Sequence, residues 1–565
     1  MDLGESVPTI IFLIVLLIMT FTKLLIHGIF LIHRLQQLGY SNLKLVKWLE
    51  GKQYREILLW NIFELLLPLL IILILFYNIK QIPVYKYITS LIMFFIFTWK
   101  LIHPFLANWV GPRAYIKVPL VITPRVKRLF ITLIAVIIFV LIFVFKITVI
   151  PLDSFTLSTW RFYQFNGFLL FISLITPVII LASNLINVPL EAIVHFGYFN
   201  KAKKKLGKNQ NAIKIGITGS YGKTSTKYFL ATILKEKYNT LFTPGSYNTP
   251  MGISKVINQN KDNDYEVFVA EMGADKKGDI NKLCSLVKPN YGIITAIDIQ
   301  HLETFGSLKE IINTKLSLFH NLDNQGFGIY NFDSEILRES IKKIKFDVPL
   351  YSYSMSKNDN HDVVIYAENI KHTRDGLNFV AVFKDNIRLN VNAKVLGRHN
   401  ISNLLAVILM AKLLGLSKDE IETGISKIEP VEHRLQKINS PGDVLILDDA
   451  FNANLNGACE ALRVLHEIDG NKKIIVTPGL IGLGEIEEEI NYKFGEYIAE
   501  YSDIAILVGK NRTKSIYDSL LKKKFKKDKI IVVNSLEDSK NILKNLIKAG
   551  DVILFENDLP DTYNE

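Results

Sequence analysis

Over the first two hundred residues apolar positions run almost unbroken, whereas later they fall into short runs separated by polar, helix-spaced stretches. Five early runs, near 8–32, 57–78, 84–107, 129–150 and 167–190, reach the roughly 20 residues that a helix needs to cross a bilayer. They predict an α-helical membrane region over 1–210. Beyond it, the runs Ile213–Ile217, Val267–Ala270, Tyr291–Ile297 and Gly328–Asn331 read as buried strands alternating with helices. That is the pattern of a mostly parallel sheet covered on both faces. Five further runs, Val444–Leu447, Lys473–Thr477, Ile504–Val508, Ile530–Val533 and Val552–Phe555, predict a second, Rossmann-like α/β domain. The expected divisions are 1–210, 211–429 and 430–565, a membrane region followed by two α/β domains.

Charge sharpens this division. The net +12 would suit a nucleic-acid binder, but residues 1–210 carry +14 and the remainder −2. The basic excess therefore surrounds the apolar runs, where it reads as membrane topology, and no nucleic-acid partner is expected. Five basic residues lie between Arg34 and Arg55, and five more between Arg113 and Arg128. Lys201, Lys203, Lys204, Lys205 and Lys208 follow the last run. Positive-inside bias then places the N-terminus outside and the α/β domains in the cytoplasm, in a multi-pass protein of the cell membrane. The first run has an acidic flank and no small-residue cleavage site, so it is not read as a removable signal. Glu64, Lys100 and His103 are the polar residues inside the runs; snorkelling and function both remain open for them. Whether the spans bind substrate or only anchor the chain is equally open. Cys284 and Cys459 form neither a disulfide framework nor a metal spacing.

The chemistry begins at Gly216-Ile-Thr-Gly219-Ser-Tyr-Gly222-Lys223-Thr224-Ser225-Thr226, between a strand and a helix. Backbone N–H groups of such a turn cradle phosphates, with a Lys on the terminal phosphates and a Thr hydroxyl on Mg²⁺. ATP and Mg²⁺ are the cofactors this predicts. The spacing departs from the common G-x4-G-K-[ST] loop, because Ile217 stands where the first glycine belongs. Glu271 closes a strand of the same sheet, where a carboxylate can hold Mg²⁺. His301 follows another strand; a lone His there is more often structural than a ligand.

The loop form G-x-T-G-S-x-G-K-T-S resembles that of the Mur ligase family, which forms amide bonds in cell-wall peptide synthesis. Ser246-Tyr-Asn248-Thr249-Pro-Met-Gly252, Glu271-Met-Gly-Ala, His301-Leu-Glu-Thr-Phe-Gly-Ser307, Asn331-Phe-Asp333 and Gly397-Arg-His-Asn400-Ile-Ser-Asn403 follow in the family's order. The likeness is strongest to the MurF branch, which adds the terminal dipeptide of the stem. It implies a central ATP-binding domain and a Rossmann-like C-terminal domain. It also implies that Gly219, Gly222, Lys223, Thr224 and Ser225 hold the phosphates, and that Thr224, Glu271 and His301 hold Mg²⁺. Lys315 aligns with a lysine carried as a carbamate, which would turn a cation into an anionic metal ligand. Asn400 and Asn403 would face adenine, Asp449 the ribose, and Arg434 the γ-phosphate. Lys223, Lys315, His301 and Arg434 are the implied catalytic set.

Two departures concern substrate. Leu455 stands where the MurF pattern has proline, and Phe555-Glu556-Asn557-Asp558 replaces a Lys-Gly-Ser segment. The larger one is at the front, where the uridine-nucleotide domain gives way to apolar spans. The expectation is an ATP-dependent peptide ligase working through an acyl phosphate in peptidoglycan-precursor or related envelope synthesis. Its partners would be a peptide carboxylate, lipid-linked or soluble, and an amino-acid or peptide amine. A membrane-attached polyglutamate-synthase-like ligase is the alternative. A transporter driven by a phosphate-loop ATPase is a remote one, since it leaves Gly397–Asn403 and Glu432–Asn454 without a role.

Overall fold

A computed structural model describes residues 3–51, 54–55, 119–149, 168–169, 171–172, 174–260, 264–298, 302–357, 363–373, 376–431, 434–440, 442–449, 455–481, 483 and 486–557. Two compact units emerge, one of helices up to Val194 and one from His195 to Asp558.

In the helical unit, α1 (Leu3–Gln37), α2 (Asn42–Leu49), α3 (Pro124–Val149) and the start of α4 (Thr176–Lys208) share a core. Leu24, Leu31 and Ile32 meet Leu129, Leu133, Ile137 and Ile180 there. The outer face of α3 exposes Ile131, Phe139 and Ile142, side chains suited to lipid. Among the described residues, α3 and α4 are long and apolar enough to cross a membrane. The expected spans 57–78 and 84–107, with Glu64, Lys100 and His103, lie outside the described residues. Polar contacts gather at one end of the unit. Gln36 pairs with the backbone of Val121, Asn184 donates to Tyr40 O, and Glu191 binds Arg128 at 2.7 Å. The basic segments around Arg34 and Arg128 therefore lie at one end of the unit. The helix that carries the end of the last expected span runs past 190 and continues to Lys208. The five lysines occupy its final turns, where Ala202 and Leu206 bury in the second unit's core.

The second unit holds two sheets. The larger has the order β2-β3-β1-β4-β5-β6-β7-β8-β9. Its strands are β1 (Ile213–Thr218), β2 (Thr240–Phe242), β3 (Val267–Glu271), β4 (Tyr291–Ile294), β5 (Phe327–Asn331), β6 (Leu350–Ser354), β7 (Val363–Thr373), β8 (Gly376–Phe383) and β9 (Arg388–Ala393). Strands β1 to β7 pair in parallel, and β7-β8-β9 form an antiparallel meander. Its helices are α5 (Lys223–Leu234), α6 (Pro250–Gln259), α7 (Asp279–Val287), α8 (Leu302–Phe305), α9 (Leu308–His320), α10 (Glu335–Lys342), α11 (His399–Leu413) and α12 (Lys418–Ser426). One face buries Phe229, Leu230, Leu405, Ile408 and Ile421 from α5, α11 and α12. The other buries Leu283, Leu286, Leu316 and Phe319 from α7 and α9. Because the chain leaves β1 toward β3 on one side and returns to β4 on the other, the carboxyl end of β1 is a topological switch point. Ligands of such sheets collect in that crevice.

The smaller sheet has the order β10-β11-β15-β12-β13-β14, parallel except for the edge strand β10. These are β10 (Gln436–Ser440), β11 (Val444–Asp449), β12 (Lys473–Thr477), β13 (Ile504–Val508), β14 (Ile530–Val533) and β15 (Val552–Glu556), with α13 (Leu455–Glu467) following β11. The five expected strands are present, and β10 is added.

Candidate active site

Between β1 and α5 the loop Gly219–Gly222 lies against the exit of β4. A Cβ on Gly219 would fall 2.0 Å from Thr295 Oγ1. Gly222 has φ +79°, and a Cβ there would meet Asn403 Oδ1 at 2.6 Å. Only glycine fits either position. Ser220 N donates to Ala296 O at 2.8 Å, and its hydroxyl bridges the N and O of Asp298. Gly222 starts α5 without a side-chain cap, so the first N–H groups of the helix remain for an anion.

Two lysines converge on one loop carbonyl. Lys223 Nζ donates to Gly219 O at 2.7 Å and to Ser220 O at 3.1 Å. Lys315 Nζ reaches the same Gly219 O at 3.1 Å from α9. Burial lowers the Lys223 pKa, Glu271 works against the shift, and Arg434 adds to it. Lys315 is 4% exposed. Burial brings its pKa down to about 7, with Lys223 pushing the same way and Asp275 opposing. A neutral amine fraction near neutral pH is what reaction with CO₂ requires, so the setting suits a carbamate. A plain surface lysine is excluded.

Glu271 ends β3 almost wholly buried. Its Oε1 accepts from Thr224 Oγ1 at 3.2 Å and from Asn248 Nδ2 at 3.1 Å. Its Oε2 pairs with Lys227 Nζ at 3.0 Å, and both side chains are inaccessible. Thr224 and Glu271 thus offer hard oxygen donors side by side at the reaction edge, the donor set Mg²⁺ takes. Lys227 neutralises the far oxygen, while the near one faces Thr224 and Asn248. Ser225 is buried in the first turn of α5. His301 lies outside the described residues; α8 begins at the next residue.

Asn400 and Asn403 sit in α11, both 4% exposed, with their amides engaged inside the protein. Asn400 donates to Leu396 O at 2.7 Å, Asn403 donates to Asn400 Oδ1 at 3.0 Å, and Asn403 Oδ1 accepts from Thr226. In this arrangement they brace α11 against the loop.

The segment joining the two sheets carries Arg434, whose N donates to Val431 O. Its charge reaches Lys223 as well as His399, which is neutral: burial first and Arg434 second bring that imidazole down to about 4. The next residue, Leu435, has φ +49°, and its N–H donates to Asp449 Oδ1 at 3.1 Å. Asp449, expected near ribose, therefore anchors the backbone beside Arg434 from the end of β11. Opposite it in register stands Glu556, fully buried, with no donor to either oxygen. Burial first, then the neighbouring Asp449 charge, raises the Glu556 pKa well above the usual carboxylate range. The two neighbouring carboxyls repel as anions, which adds to burial in favouring the neutral form of Glu556. From α13, Asn456 Nδ2 donates to Asp298 Oδ2 at 3.1 Å, linking the second sheet to the residue that holds Ser220.

Sequence reasoning missed Lys227, Asp275, Asp298 and His399. For Lys227 a signal existed: four residues after Lys223 it shares that helix face.

A phosphate-loop sheet that shares its reaction edge with a second α/β domain is the build of a two-domain ATP-dependent ligase. The comparisons give the same class. Residues 217–411 match the Mur ligase middle domain and 433–556 the Mur ligase, glutamate ligase domain. The UDP-N-acetylmuramoyl-tripeptide--D-alanyl-D-alanine ligase of Bacillus subtilis is 26% identical over 344 residues, 60% of this chain and 72% of that protein. The Escherichia coli enzyme of the same name is 31% identical over 284 residues, 50% of this chain and 61% of its own length. MurF from Thermotoga maritima, solved in complex with ADP, aligns with TM-score 0.54 at 25% identity, over 64% of this chain and 80% of that one. The chain belongs to the Mur ligase family of ATP-dependent amide ligases.

Proposed function

We propose that the protein joins a peptide carboxylate to an amine in a MurF-like step of peptidoglycan-precursor or related envelope peptide synthesis. The observation that carries this reading is the convergence of Lys223, Lys315, Thr224 and Glu271 on one phosphate loop, with the Arg434 charge felt at Lys223. In this mechanism the substrate carboxylate oxygen attacks the γ-phosphorus, the bond from that phosphorus to ADP breaks, and an acyl phosphate forms. Lys223 and Arg434 neutralise charge gathering on the transferred phosphoryl group. Thr224, Glu271, His301 and carbamylated Lys315 would hold Mg²⁺, which when bound shields the phosphate oxygens. The amine nitrogen then attacks the acyl carbon; phosphate leaves and the nitrogen loses a proton to solvent. Gly219, Gly222 and Ser225 shape the phosphate cradle. Asn400 and Asn403 serve the nucleotide by holding α11 against Gly222, and Asp449 serves it by fixing Leu435 beside Arg434.

The long apolar helices favour a membrane-linked carboxylate over a soluble nucleotide-linked one, with the catalytic domains on the cytoplasmic side. Full-length protein in native-lipid nanodiscs, supplied with ATP and both amide components, tests this. ADP should appear only with a carboxylate present, and product mass should rise by the amine less water. ADP release that ignores the carboxylate would overturn the ligase reading. Turnover with UDP-linked peptide alone would overturn the membrane-linked substrate.

A further inference from the structure

The end of the large sheet opposite the phosphate loop carries its own charged cavity. It measures about 360 Å³, within the range of small-molecule sites. Asn200, Lys203 and Lys204 of α4 line it, with Lys214 at the start of β1 and Lys288 just after α7. Leu286 and Val287 form its apolar floor. Lys203, Lys204 and Lys288 are exposed, and none of the four lysines forms an ion pair among the described residues. Lys214 is half-buried. Burial and the Lys288 charge both lower its pKa, against a smaller opposing effect of Asp323. Four cations thus face one small space. An anion there relieves mutual repulsion that Asp323 offsets only in part.

The helix that supplies two of these lysines says where the anion comes from. Along α4, exposed apolar residues continue through Leu190 and Ile193 to the aromatic pair Phe196 and Tyr198, and the lysines follow. Apolar, aromatic and basic residues in that order are the profile of a helix leaving a bilayer through its interface. We propose that this cavity seats the phosphate of an anionic membrane lipid headgroup. The inference rests on α4 as a membrane span and does not use the ligase reaction. The phosphate is gripped by Lys203, Lys204, Lys214 and Lys288, and the glycerol end lies over Leu286 and Val287.

Lysine acetylation read residue by residue tests the site on the full chain. The protein is placed in nanodiscs of phosphatidylcholine alone, or of phosphatidylcholine mixed with phosphatidylglycerol. The expected result is several-fold slower modification of Lys203, Lys204, Lys214 and Lys288 with the anionic lipid, and unchanged Lys522 and Lys540. Equal slowing by inorganic phosphate in phosphatidylcholine discs would overturn the lipid source and leave a soluble phosphate site. Slowing of Lys201 and Lys208 as strong as that of the cavity lysines would overturn a defined seat in favour of diffuse attraction. No slowing would overturn the site. By native mass spectrometry, Lys214→Gln with Lys288→Gln should weaken phosphatidylglycerol retention by about fivefold per lysine; undiminished retention would overturn the assignment. Neither readout uses ATP, so loss of the ligase reading would leave both interpretable.

Discussion

Lys315 combines a buried position with a second lysine, Lys223, on the same loop carbonyl. Neither feature is written in the residues around it, which are those of an ordinary amphipathic helix. Burial came from the packing of α9 under the loop, a tertiary fact. We expect Lys315→Arg to lower turnover by about 10²–10³-fold, the size of losing a preorganised charge contact. Wild-type activity should fall in CO₂-stripped buffer and return with bicarbonate; unchanged rates in stripped buffer would count against the carbamate. Glu556 poses a different problem. As sequence it reads as a sign change in a substrate loop, whereas the fold buries it against Asp449. An acid whose pKa is raised on folding binds its proton more tightly folded than unfolded. Its stabilising contribution is complete below the unfolded value of about 4.5 and declines as pH climbs toward the folded one. Glu556→Gln, which keeps a donor toward Asp449, should therefore flatten this decline and raise the melting temperature at pH 8 by a few degrees. A steeper decline in the variant would contradict the raised Glu556 pKa.

At the scale of elements, the central strands β1, β3, β4 and β5 were legible as continuous apolar runs. Strands β2, β6, β7, β8, β9 and β10 were missed, and two of them have polar faces. In β9, Arg388–Ala393 alternates exposed and buried positions with Arg and Asn among them, and β10 is an edge strand rich in polar residues. Helix α5 was legible from its start at Lys223, but its grip on β3 through Lys227 and Glu271 was not. That pair joins helix and strand inside the protein, so cutting one partner leaves a buried charge. Lys227→Met should cost about 3–5 kcal/mol of stability in denaturant titration. A loss under 1 kcal/mol would show that Asn248 and Thr224 suffice to hold Glu271. The identity of the loop was legible because a phosphate cradle is local, two glycines and a helix start within a few residues. The Asp449 contact to Leu435 was not, since it joins positions brought together only by the pairing of β10 with β11.

Across the whole molecule, the structure divides at Val194, ahead of the lysine cluster that the charge split at 210 had grouped with the apolar runs. What composition could not show is that the last apolar run and the lysine cluster are one helix. That continuity makes β1 a measuring rod. Lys214 stands at its basic end and Gly219 opens the loop at the other, five residues along extended chain, or about 17 Å at the strand's rise. With the proposed lipid seat at the Lys214 end of β1, a carboxylate tethered beside that seat must reach about that far along the sheet to meet the γ-phosphate. An extended peptide gains about 3.3–3.6 Å per residue, so a stem of about five residues covers the distance and a single amino acid does not. Turnover of lipid-linked peptides should drop sharply below that length, while detergent-soluble peptides of the same sequences show no such threshold. Product mass spectrometry across a ladder of stem lengths would reveal the step. The sheet would then select substrates by reach, admitting a peptide already several residues grown and passing over its beginnings.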